Sequence, residues 1–298
     1  MQSVPERVKR VVETGLDCAV RSCERPAEGR VAETYLLEVE GSPERVVCKL
    51  GGPSVRTGDV IEPLVLELVG ATTDLPVPAV LASGWLSEEG THWALYEFSA
   101  GSCPVSYRAL SPPARRRTVT EVGAALARLH AAHGFERTGG LARDGDRLTI
   151  RDPAGLDVPE WGRRLAERHT DWTAGEAVLT HGDLFPSNLV VERDGQVAGI
   201  FDWGNAHVTT AGYALARAEM RFVNWYWHCF PAAERRDLRA ALRAGYREHR
   251  PLPSGYRPAT FHRLLWLVQS GQRHLRNAMT PRGRRQLRRH LRSLLPGR

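Results

Sequence analysis

The chain has 298 residues, 42% of them hydrophobic and 25% charged, and a formal net charge of +7, which suits one two-lobed unit or two small domains with ample core. No apolar run approaches the roughly 18 residues that a membrane helix needs, and no charged-then-apolar leader opens the chain, so a cytoplasmic location is expected by default. The five cysteines, Cys18, Cys23, Cys48, Cys103 and Cys229, are odd in number, scattered and without a Cys-x-x-Cys pair, which argues for reduced thiols and against disulfides or a zinc centre.

In chain order, the first readable element is a hairpin. Tyr35-Leu36-Leu37-Glu38-Val39 and Arg45-Val46-Val47-Cys48-Lys49 flank the turn-like Glu40-Gly41-Ser42-Pro43, and both runs have strand character. The glycine-containing stretch 51–59 lacks the Gly-Lys-Ser/Thr ending of a Walker-type phosphate loop. Residues 59–69 read as a helix with Pro63 near its start; proline prefers the first helical position, and Asp59-x-x-Glu62 also fits a capping box. Trp93-Ala94-Leu95-Tyr96-Glu97-Phe98 is an apolar strand ended by Ser99-Ala100-Gly101-Ser102. Ser111-Pro112 supplies an N-cap and first-turn proline, after which Val119, Val122, Leu126 and Leu129 recur at helical spacing until about His130 to Gly134. His130 and His133 there are expected to pack or cap, since no Cys or carboxylate completes a metal-ligand spacing. Helical stretches are expected again at about 211–230, 232–249, 258–277 and 281–295.

Between the two helical regions lies the most informative stretch. Ala177-Val178-Leu179 runs into His181-Gly182-Asp183-Leu184-Phe185-Pro186-Ser187-Asn188, and the strands Leu189-Val190-Val191 and Val197-Ala198-Gly199-Ile200-Phe201, joined by the turn signal Asp194-Gly195, lead to Asp202-Trp203. The predicted hairpin returns Asp202 beside Asn188, so that both reach one cation. An Asp that accepts a hydroxyl proton, an Asn five residues on and an Asp on the next strand are the parts of a phosphoryl-transfer site. His-Gly-Asp with Asn at that fixed offset is expected by chance in roughly one chain in a thousand of this length.

These two motifs resemble the aminoglycoside phosphotransferase and choline kinase branch of the protein-kinase-like fold, in which His-Gly-Asp-x-x-x-x-Asn replaces the His-Arg-Asp form of protein kinases. The resemblance covers most of the chain, from about Gly29 to the helices after Asp202. It implies an α+β, bilobal fold: a small N-terminal nucleotide-binding lobe over residues 1–98, an antiparallel sheet plus helix, and a larger, mainly helical C-terminal lobe over 99–298. It also implies ATP and Mg2+ as cofactors, a small-molecule hydroxyl acceptor, Asp183 as catalytic base, and Asn188 and Asp202 as metal ligands. His181 would then support the loop and not donate protons. The phosphate-anchoring lysine must lie on an early strand. Only Lys9 and Lys49 are lysines among 41 basic residues, and Lys49 ends a valine-rich strand, where a compact ammonium is not replaceable by a guanidinium. Its carboxylate partner on the next helix is Glu62 or Glu67, with Glu62 favoured. Glu97, Phe98 and Ser99 are the hinge candidates, whose backbone would bind adenine.

Two features depart from the family. The phosphate-covering loop, 27–34, carries one glycine, Gly29, where protein kinases have three, and the Asp that usually follows some twelve residues after the second metal Asp is absent from 211–216. Charge is also uneven: residues 203–298 hold 19 Arg and only four acids, Glu219, Glu234, Asp237 and Glu248. An enzyme that takes polycationic aminoglycosides needs carboxylates around the acceptor, so this surplus weakens an aminoglycoside reading and admits a neutral or anionic acceptor, while a solvated basic helix face is the favoured account of the run 282–292 itself. The aromatics Phe222, Trp225, Tyr226, Trp227 and Phe230 read as core, with an acceptor-stacking role as the alternative. The segment 144–171, with Asp152, Asp157 and Glu160, falls where the family inserts substrate-binding structure. A pseudokinase or nucleotide-binding regulator would keep the fold without turnover. A nucleic-acid-binding module could use the arginine-rich face, but nucleic acid is the less favoured partner.

Overall fold

The computed structural model describes residues 3–26, 32–99, 107–151, 175–226, 229–254 and 256. The expected phosphate-covering loop around Gly29, Cys103, Trp227, the acidic segment beyond Arg151 and the helices expected at 258–277 and 281–295 lie outside those residues.

The N-terminal lobe is an antiparallel sheet of β1 (Val20–Glu24), β2 (Ala32–Val39), β3 (Arg45–Gly51), β4 (Val80–Leu86) and β5 (Thr91–Glu97), in the order β1-β2-β3-β5-β4. The expected hairpin forms with Thr34 opposite Lys49, and Lys49 is in turn opposite Ala94 of β5, so β3 is the central strand. Strand periodicity then sorts its side chains. Val46, Cys48 and Leu50 pack with Val8, Val11 and Val12 of α1 (Glu6–Leu16) in one core. Val47 joins the second core, with Tyr96 and with Val65, Leu66 and Val69 of α2 (Glu62–Thr72). Lys49 shares the face of Val47. The second core continues without interruption into the C-terminal lobe, through Leu126, Leu179, Trp203 and Leu242.

The C-terminal lobe is built on α3 (Pro112–Ala132), whose predicted N-cap is present: Ser111 Oγ accepts from the Ala114 N–H at 3.3 Å. The hairpin expected after the His-Gly-Asp motif is also present as β10 (Leu189–Val191) and β11 (Val197–Ile200), with Leu189 opposite Ile200. The helix expected from residue 211 forms as α4 (Ala211–Phe222) and stops there, followed by a 3-10 turn over Asn224–Tyr226 and then α5 (Ala232–Arg247). The described part of this lobe holds more sheet than its sequence suggests. β6 (Gly134–Phe135), β7 (Gly139–Asp144), β8 (Arg147–Arg151), β9 (Ala177–Thr180) and β12 (His207–Thr210) form a second sheet in the order β6-β9-β12-β7-β8. Strands of two to six residues are too short for alternation to separate them from loop.

The stretch 52–59 is a strap between the lobes. The Val55 N–H donates to Asn205 Oδ1 at 3.2 Å, Thr57 Oγ1 donates to the Leu141 carbonyl at 2.8 Å, and Asp59 Oδ2 accepts from the Arg143 N–H at 2.9 Å and pairs with Arg151 at 3.1 Å. Asp59 is thus committed to the second sheet and does not cap α2, whose N-cap residue Ile61 makes no side-chain cap bond.

Helices α3 and α5 cross at two glycines: a Cβ on Gly123 would stand 2.1 Å from the Leu242 carbonyl oxygen, and one on Gly245 1.9 Å from that of Thr120. Both neighbours are backbone and cannot rotate away. Gly123→Ala is therefore expected to destabilise the protein by about 1–3 kcal/mol, overpacking outweighing the gain in helix propensity, as a lowered midpoint in urea unfolding; an unchanged or raised midpoint would contradict this crossing geometry.

His130, on the same interface, is hydrogen-bonded through Nδ1 to Tyr246 Oη at 2.9 Å. Burial, and secondarily Arg250, pull its imidazole from the usual 6.5 down to about 3. Below pH 6.5 the unfolded chain takes up a proton that the folded chain refuses, so stability is full above that pH and is lost as pH falls towards 3. Urea unfolding between pH 7 and 4 should show this as a slope approaching about 1.4 kcal/mol per pH unit for this histidine, reduced in His130→Gln.

Candidate active site

The site is assembled where the central strand of the first sheet, the start of α2 and the β10–β11 hairpin converge. Lys49 Nζ lies 2.9 Å from both Glu62 carboxylate oxygens and 3.3 Å from Asp202 Oδ1. Burial alone would lower the Lys49 pKa, but Glu62 and Asp202 outweigh it and hold it above the usual lysine value. The ammonium stays charged. Glu62 is the first residue of α2, with Pro63 just inside the helix start, and the structure brings it, not the exposed Glu67, to Lys49.

Glu62 has a further partner that its sequence did not announce. Its Oε1 accepts the Trp203 N–H at 3.0 Å, so one buried carboxylate ties β3, α2 and the turn that carries Asp202. Asp202 itself takes a left-handed backbone, φ 68°, a conformation that Asp tolerates better than most residues and that recurs where a side chain is aimed for function.

The catalytic loop is held by its own backbone. Nδ1 of His181 accepts the Asp183 N–H at 3.2 Å, which leaves Nε2 to carry the proton and donate to the Phe201 carbonyl at 2.9 Å. Burial pushes the His181 pKa below its usual value and keeps the ring neutral, its centroid 4.5 Å from that of Trp203 with the planes tilted by 40°. Both nitrogens are occupied by backbone, so the imidazole fixes the loop and has none left for proton transfer. Gly182 has φ 80°, and a Cβ there would lie 1.8 Å from the Asn205 carbonyl oxygen. Asn188 Nδ2 donates to the Asp183 carbonyl at 2.9 Å, while the Phe201 N–H donates to the Asn188 carbonyl at 3.1 Å. The Asn188 side chain thus turns its oxygen outward, with Ser187 Oγ at 3.4 Å.

No group of three His, Cys, Asp or Glu side chains gathers as a metal site among the described residues. One amide oxygen and one carboxylate nevertheless fit a magnesium ion, which keeps waters and takes phosphate oxygens for its remaining positions. The Asp183 carboxylate is about one-third exposed and pairs with Arg221 of α4, Nη2 to Oδ1 at 3.2 Å. Arg221 also lies over the Phe185 ring, 5.1 Å from its centroid.

Of the hinge candidates, Glu97 pairs with Val46 and donates its N–H to the Ala79 carbonyl at 2.9 Å. Phe98 is covered by the Arg45 guanidinium at 3.8 Å. Ser99 lies against Gly199 of β11, so the connection between lobes passes directly over the catalytic hairpin. The aromatic cluster is core: Phe222, Tyr226 and Phe230 surround Tyr107 at 5.1–5.9 Å. Trp225 faces the catalytic loop instead, 6.0 Å from Phe185. His133 Nε2 is hydrogen-bonded to Thr72 Oγ1 at 2.8 Å, tying the end of α3 to the end of α2.

A small-molecule kinase architecture, two lobes with the motif-bearing hairpin between them, is what this arrangement defines. Residues 22–292 match the phosphotransferase enzyme family, and the chain belongs to that family. No curated protein matches the chain. Among solved structures, one described as a fructosamine-3-kinase from Thermobifida fusca YX-ER1 is 20% identical with a TM-score of 0.59, covering 98% of both chains. A spectinomycin phosphotransferase in complex with ADP and spectinomycin is 12% identical with a TM-score of 0.58, over 99% of this chain and 96% of that one. The GDP complex of aminoglycoside 2'-phosphotransferase-IIIa is 15% identical with a TM-score of 0.55, over 97% and 99%. At these identities the likeness establishes the shared fold.

Because Glu62 is buried and serves three donors, Lys49, the Trp203 N–H and the Tyr96 hydroxyl, Glu62→Leu should leave the Lys49 charge and the Trp203 N–H uncompensated. The expected cost is about 3–5 kcal/mol, measured by urea unfolding; a loss below about 1 kcal/mol would show that the bridge is not the structural tie it appears geometrically.

Proposed function

We propose that this protein is an ATP-dependent, magnesium-dependent phosphotransferase that moves the γ-phosphoryl group of a bound nucleoside triphosphate to a hydroxyl of a small molecule in the cytoplasm. The observation that carries the reading is the convergence of Lys49, Glu62 and Asp202 within 3.3 Å, in register with a catalytic loop whose Asp183 is partly exposed. Backbone groups at Glu97, Phe98 and Ser99 bind the adenine, and Lys49, held by Glu62, grips the phosphates. Asn188 and Asp202 hold magnesium, which when bound neutralises the phosphate charge. Asp183 orients the acceptor hydroxyl and takes its proton as that oxygen bonds to the γ-phosphorus. The bond from the γ-phosphorus to the bridging oxygen breaks, and the diphosphate leaves with the electron pair. The relatives in the fold support nucleotide use and a small hydroxylated acceptor, since solved members hold GDP or ADP.

The decisive measurement is magnesium-dependent ATP turnover with a panel of hydroxylated amines, sugars and antibiotics. Asp183→Ala is expected to lower kcat by about 10²–10⁴-fold with nucleotide binding retained, and Asp202→Ala to lower turnover and raise the magnesium concentration it needs. Transfer at the wild-type rate in Asp183→Ala would take that residue out of its role. Nucleotide binding without turnover on any acceptor in the wild type would favour a regulatory protein.

A further inference from the structure

The contact between Asp183 and Arg221 is not explained by phosphoryl transfer alone. A base that must take a hydroxyl proton has one of its two oxygens already engaged by a guanidinium at 3.2 Å. Arg221 is largely buried, its side chain 18% exposed, and it is backed by the Phe185 ring.

α4 supplies no second acid to pair with Arg221. The one acid of α4 is Glu219, which is fully buried and already held by Arg239, by Arg243 at 3.0 Å and by the Tyr256 hydroxyl. Arg217 stands one turn before Arg221 on the same face. Its Nη1 is buried without a hydrogen-bond partner among the described residues. His207, which packs behind Gly182, is held well below its usual pKa by burial, then by Arg56 and Arg217. α4 therefore presents the Arg221 guanidinium to the base itself.

Resting on the phosphotransferase reading above, we propose that the acceptor carries an anionic group, a carboxylate or a phosphate monoester, close to the hydroxyl that is phosphorylated, and that Arg221 is the residue that recognises it. The incoming anion replaces Asp183 as the partner of Arg221 in a charge-assisted pair, and Asp183 is released to the hydroxyl. Without such an anion Arg221 remains on the base. A polycationic acceptor would bring its ammonium groups against Arg221, where like charges repel. Arg221 is thus a specificity-determining residue and the ion pair a check on turnover with the wrong acceptor or with water.

The test uses the full chain with magnesium and ATP, first following hydrolysis with no acceptor and then in the presence of acetate or inorganic phosphate. Either anion is expected to raise hydrolysis severalfold in the wild type. Arg221→Gln should show raised hydrolysis that neither anion changes, and Arg221→Lys should recover part of the anion response. Matched acceptors follow: gluconate against glucitol, glucose 6-phosphate against glucose, and kanamycin as the polycation. The carboxylate pair and the phosphate pair separate the two forms of anion. For the preferred pair, kcat/KM of the anionic member should exceed that of the neutral one by about 10–100-fold, the scale of one charged hydrogen bond, and Arg221→Gln should erase the difference through KM. Anion-insensitive hydrolysis, faster transfer to the neutral member or to kanamycin, or an equal loss on both members in Arg221→Gln would each overturn the proposal while leaving the kinase reading intact. Absence of any magnesium-dependent hydrolysis or transfer would overturn the kinase reading itself.

Discussion

The structure depends on one buried ion pair. Lys49 and Glu62 come from the central strand of the first sheet and the first turn of the helix that follows it, and neither charge is left to water. Two such groups taken out of solvent separately would each cost several kcal/mol. Together they become stable only when strand and helix adopt this one relation, so the pair acts as a geometric requirement more than as a source of stability. Because the same carboxylate also accepts the Trp203 N–H, that requirement extends into the other lobe and fixes the turn on which Asp202 sits.

The catalytic loop obeys a similar logic with neutral groups. His181 spends both ring nitrogens on backbone, Asn188 spends its amide on the Asp183 carbonyl, and Gly182 permits the backbone to pass close to Asn205. Each bond is worth only about 0.5–1.5 kcal/mol net, yet each removes a direction in which Asp183 could drift. The Asp183 and Asp202 carboxylates are left partly open to solvent. The strap from Val55 to Asp59 reinforces this by bonding the N-terminal lobe to Asn205, Leu141 and Arg143 on the far side of the cleft.

Charge then divides the cleft. Around β3, Lys49 faces two carboxylates, Glu62 and Asp202. On α4, Arg221 faces Asp183, and the acid of that helix is consumed within the core by Arg239 and Arg243. The shared fold with an aminoglycoside phosphotransferase is thus compatible with a different acceptor chemistry, since fold and acceptor are carried by different residues.

The sequence by itself determined which residues form the candidate site's central motifs. His181, Asp183, Asn188 and Asp202 are close in the chain and joined by a hairpin, so their spacing is legible, and the scarcity of lysine made Lys49 stand out. The tertiary structure decided what depends on approach between distant segments. It selected Glu62 over Glu67, because the first turn of α2, and not its second, meets β3. It revealed the Trp203 bond to Glu62 and turned the unexplained stretch 52–59 into a strap; backbone donors and loop conformations leave no side-chain signature. It also singled out Arg221 from a C-terminal half crowded with arginines: composition shows the surplus of charge, but only the packing of α4 against the catalytic loop brings one guanidinium onto Asp183.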